Sequence, residues 1–222
     1  MRPKIAIILP TLNRGNDLLV TAVKPIINQF KYIEKLIIID NGHQNIKIED
    51  NKALTIITKE NLGVAGSWNL GIKYAFENFP EVTHVVACQD DCAFGVTQIP
   101  EILDVIEHHE DKWFMVGAYY WAVWAISREG AKKMAYDTDK VFDDHFFPAY
   151  FEDNDFHWRI RQIDESKYMG NVSAMAPEIC VNSGTLEKDP TINSTFDDLK
   201  LYYIKKWGGG PGLEKYKTPF NR

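Results

Sequence analysis

The stretch His84–Cys92, HVVACQDDC, is the most informative part of this chain. Its apolar part, Val85–Cys88, predicts a buried strand that ends on two adjacent carboxylates, Asp90 and Asp91. Two carboxylates held close together raise each other's pKa and resist desolvation. A divalent cation removes that cost, and oxygen ligands of this kind suit Mg²⁺ or Mn²⁺. An Asp-Asp turn is also common after a strand, so the stretch alone leaves both interpretations open.

The composition is that of an ordinary globular protein. The chain has 222 residues, 45% hydrophobic and 25% charged, which is enough for one large domain or two small ones. The formal net charge of −6 argues against a nucleic-acid partner, which would require a basic face. A small anionic ligand that carries its own metal ion remains compatible with this charge.

The three cysteines, Cys88, Cys92 and Cys180, have no metal-type spacing and are interpreted as buried free thiols in a reducing compartment. The apolar run Ile5–Leu9 is too short for a signal peptide. No stretch approaches the roughly 18 apolar residues of a membrane span. The sequence therefore predicts a cytoplasmic protein without a transmembrane segment, and it leaves the oligomeric state open.

Short β-branched runs alternate with amphipathic segments, the pattern of βαβ units around a parallel sheet. The predicted strands are Lys4–Leu9, Lys35–Ile39, Ala53–Thr58, Val82–Cys88 and Trp113–Ala118, with Tyr168–Val181 extended. The predicted helices are Asp17–Phe30, Val64–Phe79, Ile99–His109, Ser127–Ala135, Glu152–Ile163 and Ser194–Trp207. Pro25 predicts a kink or early break in the first helix.

Polar groups follow each of the first four predicted strands at its carboxyl end, where ligands bind in an open α/β sheet. They are Pro10–Asn13, Asp40-Asn41, Glu60-Asn61 and Gln89–Asp91, and Glu152-Asp153 begins a later helix. If the strands are parallel neighbours, these groups converge on one edge, which turn chemistry alone does not explain. Taken singly, Asp40-Asn41-Gly42 is a good turn sequence, and acidic residues at a helix start suit the helix dipole.

The order of these motifs resembles glycosyltransferase family 2, with its GT-A fold. The resemblance covers about residues 4–165 and rests on Ile8–Arg14, Ile37–Gly42, Asn61–Gly63 with Asn69–Gly71, Gln89–Asp91 and Glu152–Asp155. It implies an α/β fold with a Rossmann-like, mostly parallel central sheet flanked by helices. We expect one domain, with a nucleotide-sugar-binding half (1–95) and a smaller acceptor-side half that includes the C-terminal helix and tail (96–222).

The resemblance also implies a function and a role for the site residues. It implies a metal-dependent, inverting transfer of a sugar from a UDP- or dTDP-linked donor to a hydroxyl of a glycan or glycoconjugate. Asp153 would be the general base, Asp91 the principal ligand of Mn²⁺ or Mg²⁺, and Asn182 a weaker metal ligand. The substrate-binding residues would be Pro10, Thr11, Asn13, Arg14, Asp40, Asn41, Asn61, Gly63, Trp68, Asn69, Asp90 and Glu152.

The role of Asp40 has a specific chemical basis, and an aromatic residue is a further candidate for sugar binding. A carboxylate at Asp40 accepts a hydrogen bond from the N3–H of uracil or thymine well. Asp90 would lie near the ribose or donor sugar. Trp121, in the aromatic run that begins at Tyr119, is a candidate stacking surface for a sugar ring, with core packing as the alternative.

The sequence departs from the family's pattern at three positions. Gln89 stands where the metal motif is usually acidic, Trp68 where many relatives have arginine, and Asn182 where some have histidine. These changes leave metal affinity and donor identity open. Two alternatives remain. The first is a nucleotidyltransferase, which would normally carry a Gly-rich basic loop where this chain has Pro10–Arg14, with Arg14 as its only basic residue. The second is a sugar-nucleotide-binding module without turnover, and the presence of Glu152-Asp153 argues against it.

Overall fold

The computed structural model describes residues 2–14, 18–118, 121–180 and 189–222. Its strands are β1 (Ile5–Thr11), β2 (Lys35–Asp40), β3 (Ala53–Ile57), β4 (His84–Cys88), β5 (Cys92–Ala93), β6 (Phe114–Gly117), β7 (Val123–Ser127), β8 (Tyr168–Val172) and β9 (Ile179–Cys180). Its α-helices are α1 (Lys24–Ile27), α2 (Gly63–Asn78), α3 (Gln98–His108), α4 (Arg128–Lys133), α5 (Glu152–Asp164) and α6 (Phe196–Trp207). No helix in this part of the chain has the length and hydropathy to cross a membrane.

Seven strands form one sheet in the order β3-β2-β1-β4-β7-β6-β8. The first four are mutually parallel, β7 runs antiparallel to both β4 and β6, and β8 is parallel to β6. A separate two-stranded ribbon is formed by β5 and β9. The α/β class with a mostly parallel central sheet is therefore confirmed.

The predicted elements differ from the observed ones mainly in two places. The first predicted helix becomes a π-helical turn, Leu19–Val23, followed by the short α1. Pro25 lies at the junction, where its missing N–H removes a helical hydrogen bond. Strand β7 is not predicted as a separate strand because all its residues are buried, so its sequence lacks the alternation that marks a half-exposed strand.

Alternate residues of β1 enter two different core layers. Ile5, Ile7 and Leu9 pack in one layer, and Ala6 and Ile8 pack in the other, on the α2 side of the sheet. Both faces of the strand are thus covered, which explains why its sequence is continuously apolar.

Helix α2 lies unusually close to β1 because of a glycine. A Cβ atom added at Gly71 would lie 2.9 Å from Ile8 Cγ2, which is closer than real Cβ atoms approach. Glycine therefore permits the contact. The N-terminus of α2 consequently lies beside the carboxyl ends of β1 and β2.

A buried ionic network fastens α6 to α5 and to the loop that precedes α5. Lys206 Nζ is fully buried, 2.7 Å from Asp143 Oδ2 and 2.5 Å from Asp155 Oδ1. Arg159 Nε lies 2.9 Å from Asp155 Oδ2, and Trp207 Nε1 donates to Asp155 Oδ1 at 2.9 Å. The sequence suggests a solvated or ion-paired helix face at Asp155, His157, Arg159 and Arg161. Asp155 and Arg159 are ion-paired and buried, whereas Arg161 is exposed and paired with Glu165.

We expect Lys206→Met to destabilise the protein strongly. The substitution keeps the aliphatic chain but leaves Asp143 and Asp155 buried without their shared counter-ion. Breaking a buried pair in this way costs about 3–5 kcal/mol. Urea unfolding measures the change in free energy. Lys205→Met, on the exposed side of the same helix, is the matched control, and equal stability of the two variants would contradict a structural role for the network.

The cysteines are only partly as predicted. Cys88 is free and buried, and burial raises the pKa of its thiol. Cys92 is disulfide-bonded, so the prediction of a free thiol there is wrong. Its strand β5 pairs with β9, which contains Cys180. The pairing of β5 with β9 brings together two segments that are distant in sequence, and the spacing of the cysteines does not reveal this pairing.

Candidate active site

The carboxyl ends of β1, β2 and β4 lie side by side. Thr11 is the register partner of Asp40, and Ile8 is the partner of Ala87. Thr11 and Asp90 follow that second pair by the same number of residues, so they lie level with each other. The Thr11 hydroxyl and the Leu12 backbone N–H both hydrogen-bond to the Asp90 carboxylate.

A cavity of about 500 Å³ opens at this edge of the sheet. Its wall contains ten residues that the sequence suggests for the site: Pro10, Thr11, Asn41, Asn61, Gly63, Trp68, Asp90, Asp91, Glu152 and Asp153. The strand ends supply five of them: Pro10, Thr11, Asn41, Asp90 and Asp91. The start of α2 supplies Asn61, Gly63 and Trp68, and the start of α5 supplies Glu152 and Asp153. Acids that are distant in sequence therefore share one cavity.

Asp40 does not line the cavity. Its carboxylate is fully buried and accepts hydrogen bonds from the backbone N–H of Gly42 at 3.1 Å and of Asn45 at 3.0 Å. The Gln44 side chain donates to it at 3.3 Å. In this arrangement the carboxylate closes the loop after β2 and offers no exposed surface to a nucleotide base.

Asn69 and Trp121 are also away from the cavity wall. Asn69 Oδ1 accepts from the backbone N–H groups of Val141 and Phe142, both at 2.9 Å, and so holds the loop before α5. Trp121 packs against Phe114 with ring centroids 4.8 Å apart. These contacts are those of core residues.

Asn13 and Arg14, in the loop after β1, do not line the cavity. Asn13 packs on Gly42, where an added Cβ would lie 2.8 Å from Asn13 Oδ1. Arg14 is buried, and its positive charge lowers the pKa values of Asp90 and Asp91 against the larger effect of their burial. Asn182 lies outside the described residues.

Two asparagines hold the start of α2 at the cavity. Asn41 Oδ1 accepts from the Leu62 backbone N–H at 3.2 Å, and its Nδ2 donates to Ser67 Oγ at 2.7 Å. Asn61 Oδ1 accepts from the Gly63 N–H at 2.9 Å. Both side chains thus have structural bonds as well as a place at the cavity wall.

Gly63 brings α2 against the loop that carries the other wall. Its φ is +68°, and an added Cβ would lie 2.6 Å from the carbonyl oxygen of Pro148. That oxygen accepts a hydrogen bond from the Val64 N–H at 2.9 Å. The close contact requires glycine both for the backbone angle and for the space.

We expect Gly63→Ala to lower stability by about 1–3 kcal/mol, because alanine is strained at this angle and clashes with a backbone atom. The shift of the Pro148 loop should also weaken ligand binding in the cavity. Chemical denaturation and donor affinity measure the two effects. Gly210→Ala, where an added Cβ meets nothing within 4 Å, is the control. Wild-type stability of Gly63→Ala would show that the loop adapts freely.

The residues before α5 adopt a rare backbone conformation. Tyr150 has φ 87° and Phe151 has φ 71°, in the left-handed region that non-glycine residues seldom occupy. Both line the cavity, as do Ile192 and Phe196 from the C-terminal part. Sequence reasoning misses these residues, because a left-handed tyrosine or phenylalanine has no sequence signature.

Four carboxyl groups meet in the cavity: Asp90, Asp91, Glu152 and Asp153. Among the described residues of its wall, none is lysine, arginine or histidine. Burial, reinforced by the charge of Asp91, raises the pKa of Asp90 to about 6. Burial, reinforced by Asp153, raises the pKa of Glu152 to about 8, and burial also raises the pKa values of Asp91 and Asp153. Four acids in a wall without a basic side chain, two of them influenced by the charge of Arg14, require a cation, bound protons, or both.

The residues at the end of β4 fit a hard divalent cation. Asp90 and Asp91 offer carboxylate oxygens, and Gln89 beside them in the wall offers an amide oxygen. Among the described residues, the group of acidic and histidine side chains whose ligand atoms lie within 4.8 Å of one another is Asp143, Asp144 and His145, and it does not line the cavity. The first two of these are already matched by positive charge, since Lys206 pairs with Asp143 and Lys140 with Asp144 at 2.7 Å. The acids of the cavity wall form no such ion pair with a described residue, and Arg14 acts on Asp90 and Asp91 through its charge.

The mostly parallel α/β sheet with acidic residues at its carboxyl edge is that of a GT-A glycosyltransferase fold. The chain belongs to glycosyl transferase family 2, whose family model matches residues 6–166. The expected family and the expected class of enzyme, a glycosyltransferase, are thereby confirmed.

Two solved structures are similar to this chain, and the first of them supports the fold. One is the mannosyltransferase PcManGT from Pyrobaculum calidifontis in complex with GDP-Man and Mn²⁺, which is 11% identical with a TM-score of 0.58, over 96% of this chain and 67% of that one. Another is S. aureus TarS 1–349, 15% identical with a TM-score of 0.39, over 51% of this chain and 34% of that one. A comparison with curated proteins found no match.

Proposed function

We propose that this glycosyltransferase is metal-dependent and inverting, and that it transfers a sugar from a nucleotide-diphosphate sugar to a hydroxyl of a glycan or glycoconjugate. The observation that carries the proposal is the group of four cavity carboxyls without a basic partner in the described wall. Such a site attracts a divalent cation, and the cation attracts a diphosphate. The two halves of the chain, 1–95 and 96–222, would supply the donor side and the acceptor side.

The donor would lie along the strand ends. Pro10–Leu12 and Asn41 would contact the nucleoside, and Asp91, with Asp90 beside it, would hold Mn²⁺ or Mg²⁺. When bound, the metal would neutralise charge on the diphosphate leaving group. The PcManGT complex contains Mn²⁺ together with GDP-Man, which supports this choice of cofactor.

The expected UDP or dTDP donor depends on Asp40, whose carboxylate is enclosed by its own loop. The donor in the PcManGT complex is a guanosine nucleotide sugar. We therefore propose a nucleotide-diphosphate donor, with a uridine or thymidine base as one of the cases to be tested.

The acceptor would lie against the start of α5. Asp153, at the start of this helix, would be the general base that takes the proton of the acceptor hydroxyl. Its Oδ1 accepts the Asn154 N–H at 2.7 Å, which fixes the carboxylate. Attack on the anomeric carbon from the face opposite the diphosphate would invert the configuration. Tyr150, Phe151 and Phe196 would provide the apolar part of the acceptor side.

The two alternatives differ in what they release. A nucleotidyltransferase would release pyrophosphate, and a binding module would release nothing. A cytoplasmic location stays a prediction, and the disulfide at Cys92 does not favour a reducing compartment.

A panel of nucleotide sugars, with and without Mn²⁺, tests the proposal. We expect release of a nucleoside diphosphate, dependent on the metal, with at least one of the UDP-, dTDP- and GDP-linked donors. NMR of the product should show inversion at the anomeric carbon. Pyrophosphate release, retained configuration, or full activity in a chelator would each contradict the proposal.

A further inference from the structure

We propose that the Glu152 carboxyl is neutral in the working enzyme and donates, through Oε2, a hydrogen bond to a hydroxyl oxygen of the sugar substrate. Asp153 beside it would remain the charged base. Two neighbouring acids would thus divide the work, one holding a substrate oxygen and the other removing a proton. This inference rests on the proposed function and specifies how its acceptor side is built.

The geometry singles out one oxygen of Glu152. The side chain lines the cavity and is 7% exposed. Backbone N–H groups of Tyr150 and of Glu152 itself bond to the carboxyl. Oε2, by contrast, is buried and has no hydrogen-bond partner. A buried polar atom without a partner is costly, so a partner supplied by the ligand is expected to be stabilising.

The charges around Glu152 determine its protonation. Asp153 adjoins it on α5, the end of β4 contributes Asp90 and Asp91 to the same cavity, and the preceding loop contributes the Tyr150 hydroxyl. Arg14 acts on Asp90 and Asp91. Burial and the charge of Asp153 raise the pKa of Glu152 to about 8, so the neutral acid predominates at pH 7 in the metal-free protein.

The protonated form changes what the side chain can do. A carboxylate only accepts hydrogen bonds, whereas a carboxylic acid has one O–H to donate. A sugar hydroxyl oxygen is a suitable acceptor for that O–H. A neutral Glu152 also leaves Asp153 with one fewer negative neighbour, which keeps Asp153 easier to ionise.

Glutamine and alanine variants test this role. Glu152→Gln keeps a donor group of similar shape, and we expect kcat/KM at pH 7 to fall by no more than about fivefold, whereas Glu152→Ala should lose about 10–100-fold. In the wild type, kcat/KM should decline above about pH 8 as Glu152 ionises. That decline should be absent in Glu152→Gln. An equal loss in both variants, or an unchanged decline in the glutamine variant, would overturn the proposal.

Thermal unfolding tests the neutral state without any substrate. In the unfolded chain the pKa of Glu152 is about 4.3. In the folded protein burial raises this pKa to about 8. The wild type therefore loses stability relative to Glu152→Gln as pH rises through this window, and the loss is complete above it. We expect the Tm difference, glutamine variant minus wild type, to be several degrees larger at pH 9 than at pH 4.

Glu129→Gln, exposed on α4, is the control and should show no such pH-dependent gain. A Tm difference between Glu152→Gln and the wild type that is the same at both pH values would refute the neutral state. If no nucleotide sugar is turned over but the pH-dependent gain is seen, the proposed function fails while the assignment of the proton stands.

Discussion

Asp153→Asn is expected to reduce kcat for sugar transfer by about 10²–10⁴-fold, the usual contribution of a general base, while binding of the nucleotide sugar is retained. Asparagine keeps the oxygen that accepts the Asn154 N–H, so the start of α5 should not move. It cannot accept the proton of the acceptor hydroxyl. The loss should therefore appear in kcat, measured by release of nucleoside diphosphate.

Donor affinity, measured by calorimetry in the presence of Mn²⁺, should change by less than about threefold in this variant, because the base acts in the transition state. Asp104→Asn, an exposed carboxylate on α3, controls for the loss of one charge. If Asp153→Asn transfers sugar at the wild-type rate, the base has been misassigned, and Glu152 becomes the candidate to examine.

Asp91→Asn is expected to abolish the metal dependence of donor binding and to lower kcat/KM by about 10²-fold or more, since a metal ion contributes several kcal/mol of charge stabilisation. The variant removes one negative charge from the cavity, where the other acids lack a basic partner in the described wall. Mn²⁺ binding can be followed directly by electron paramagnetic resonance, and donor binding by calorimetry with and without the metal.

Asp144→Asn separates the two acidic groups of this protein. Asp144 belongs to the group formed with Asp143 and His145, and it is paired with Lys140 at 2.7 Å. We expect this variant to bind Mn²⁺ as the wild type does. Loss of the metal in Asp144→Asn, with normal binding in Asp91→Asn, would place the ion at the second group and would invalidate the arrangement proposed for the cavity.

The sequence determined the first half of the fold because its signals are local. Apolar runs such as Ile5–Leu9 predict strands, and the periodic segment Val64–Phe79 predicts the helix observed at Gly63–Asn78. The motif order then indicates the family. Polar residues at the ends of parallel strands have to meet at one edge, so the acidic pair after β4 could be assigned to the cavity without coordinates.

Only the tertiary structure decided which of those residues face the cavity. Asp40 and Asn69 have the residue types of a binding site. The loop after β2, however, encloses the Asp40 carboxylate, and the Asn69 side chain accepts a hydrogen bond from the Phe142 backbone N–H. Tyr150 and Phe151 line the cavity through left-handed backbone angles. Pattern and residue type fix which elements form and which edge they share. Side-chain direction depends on contacts between residues far apart in the chain, and these exist only once the chain is folded.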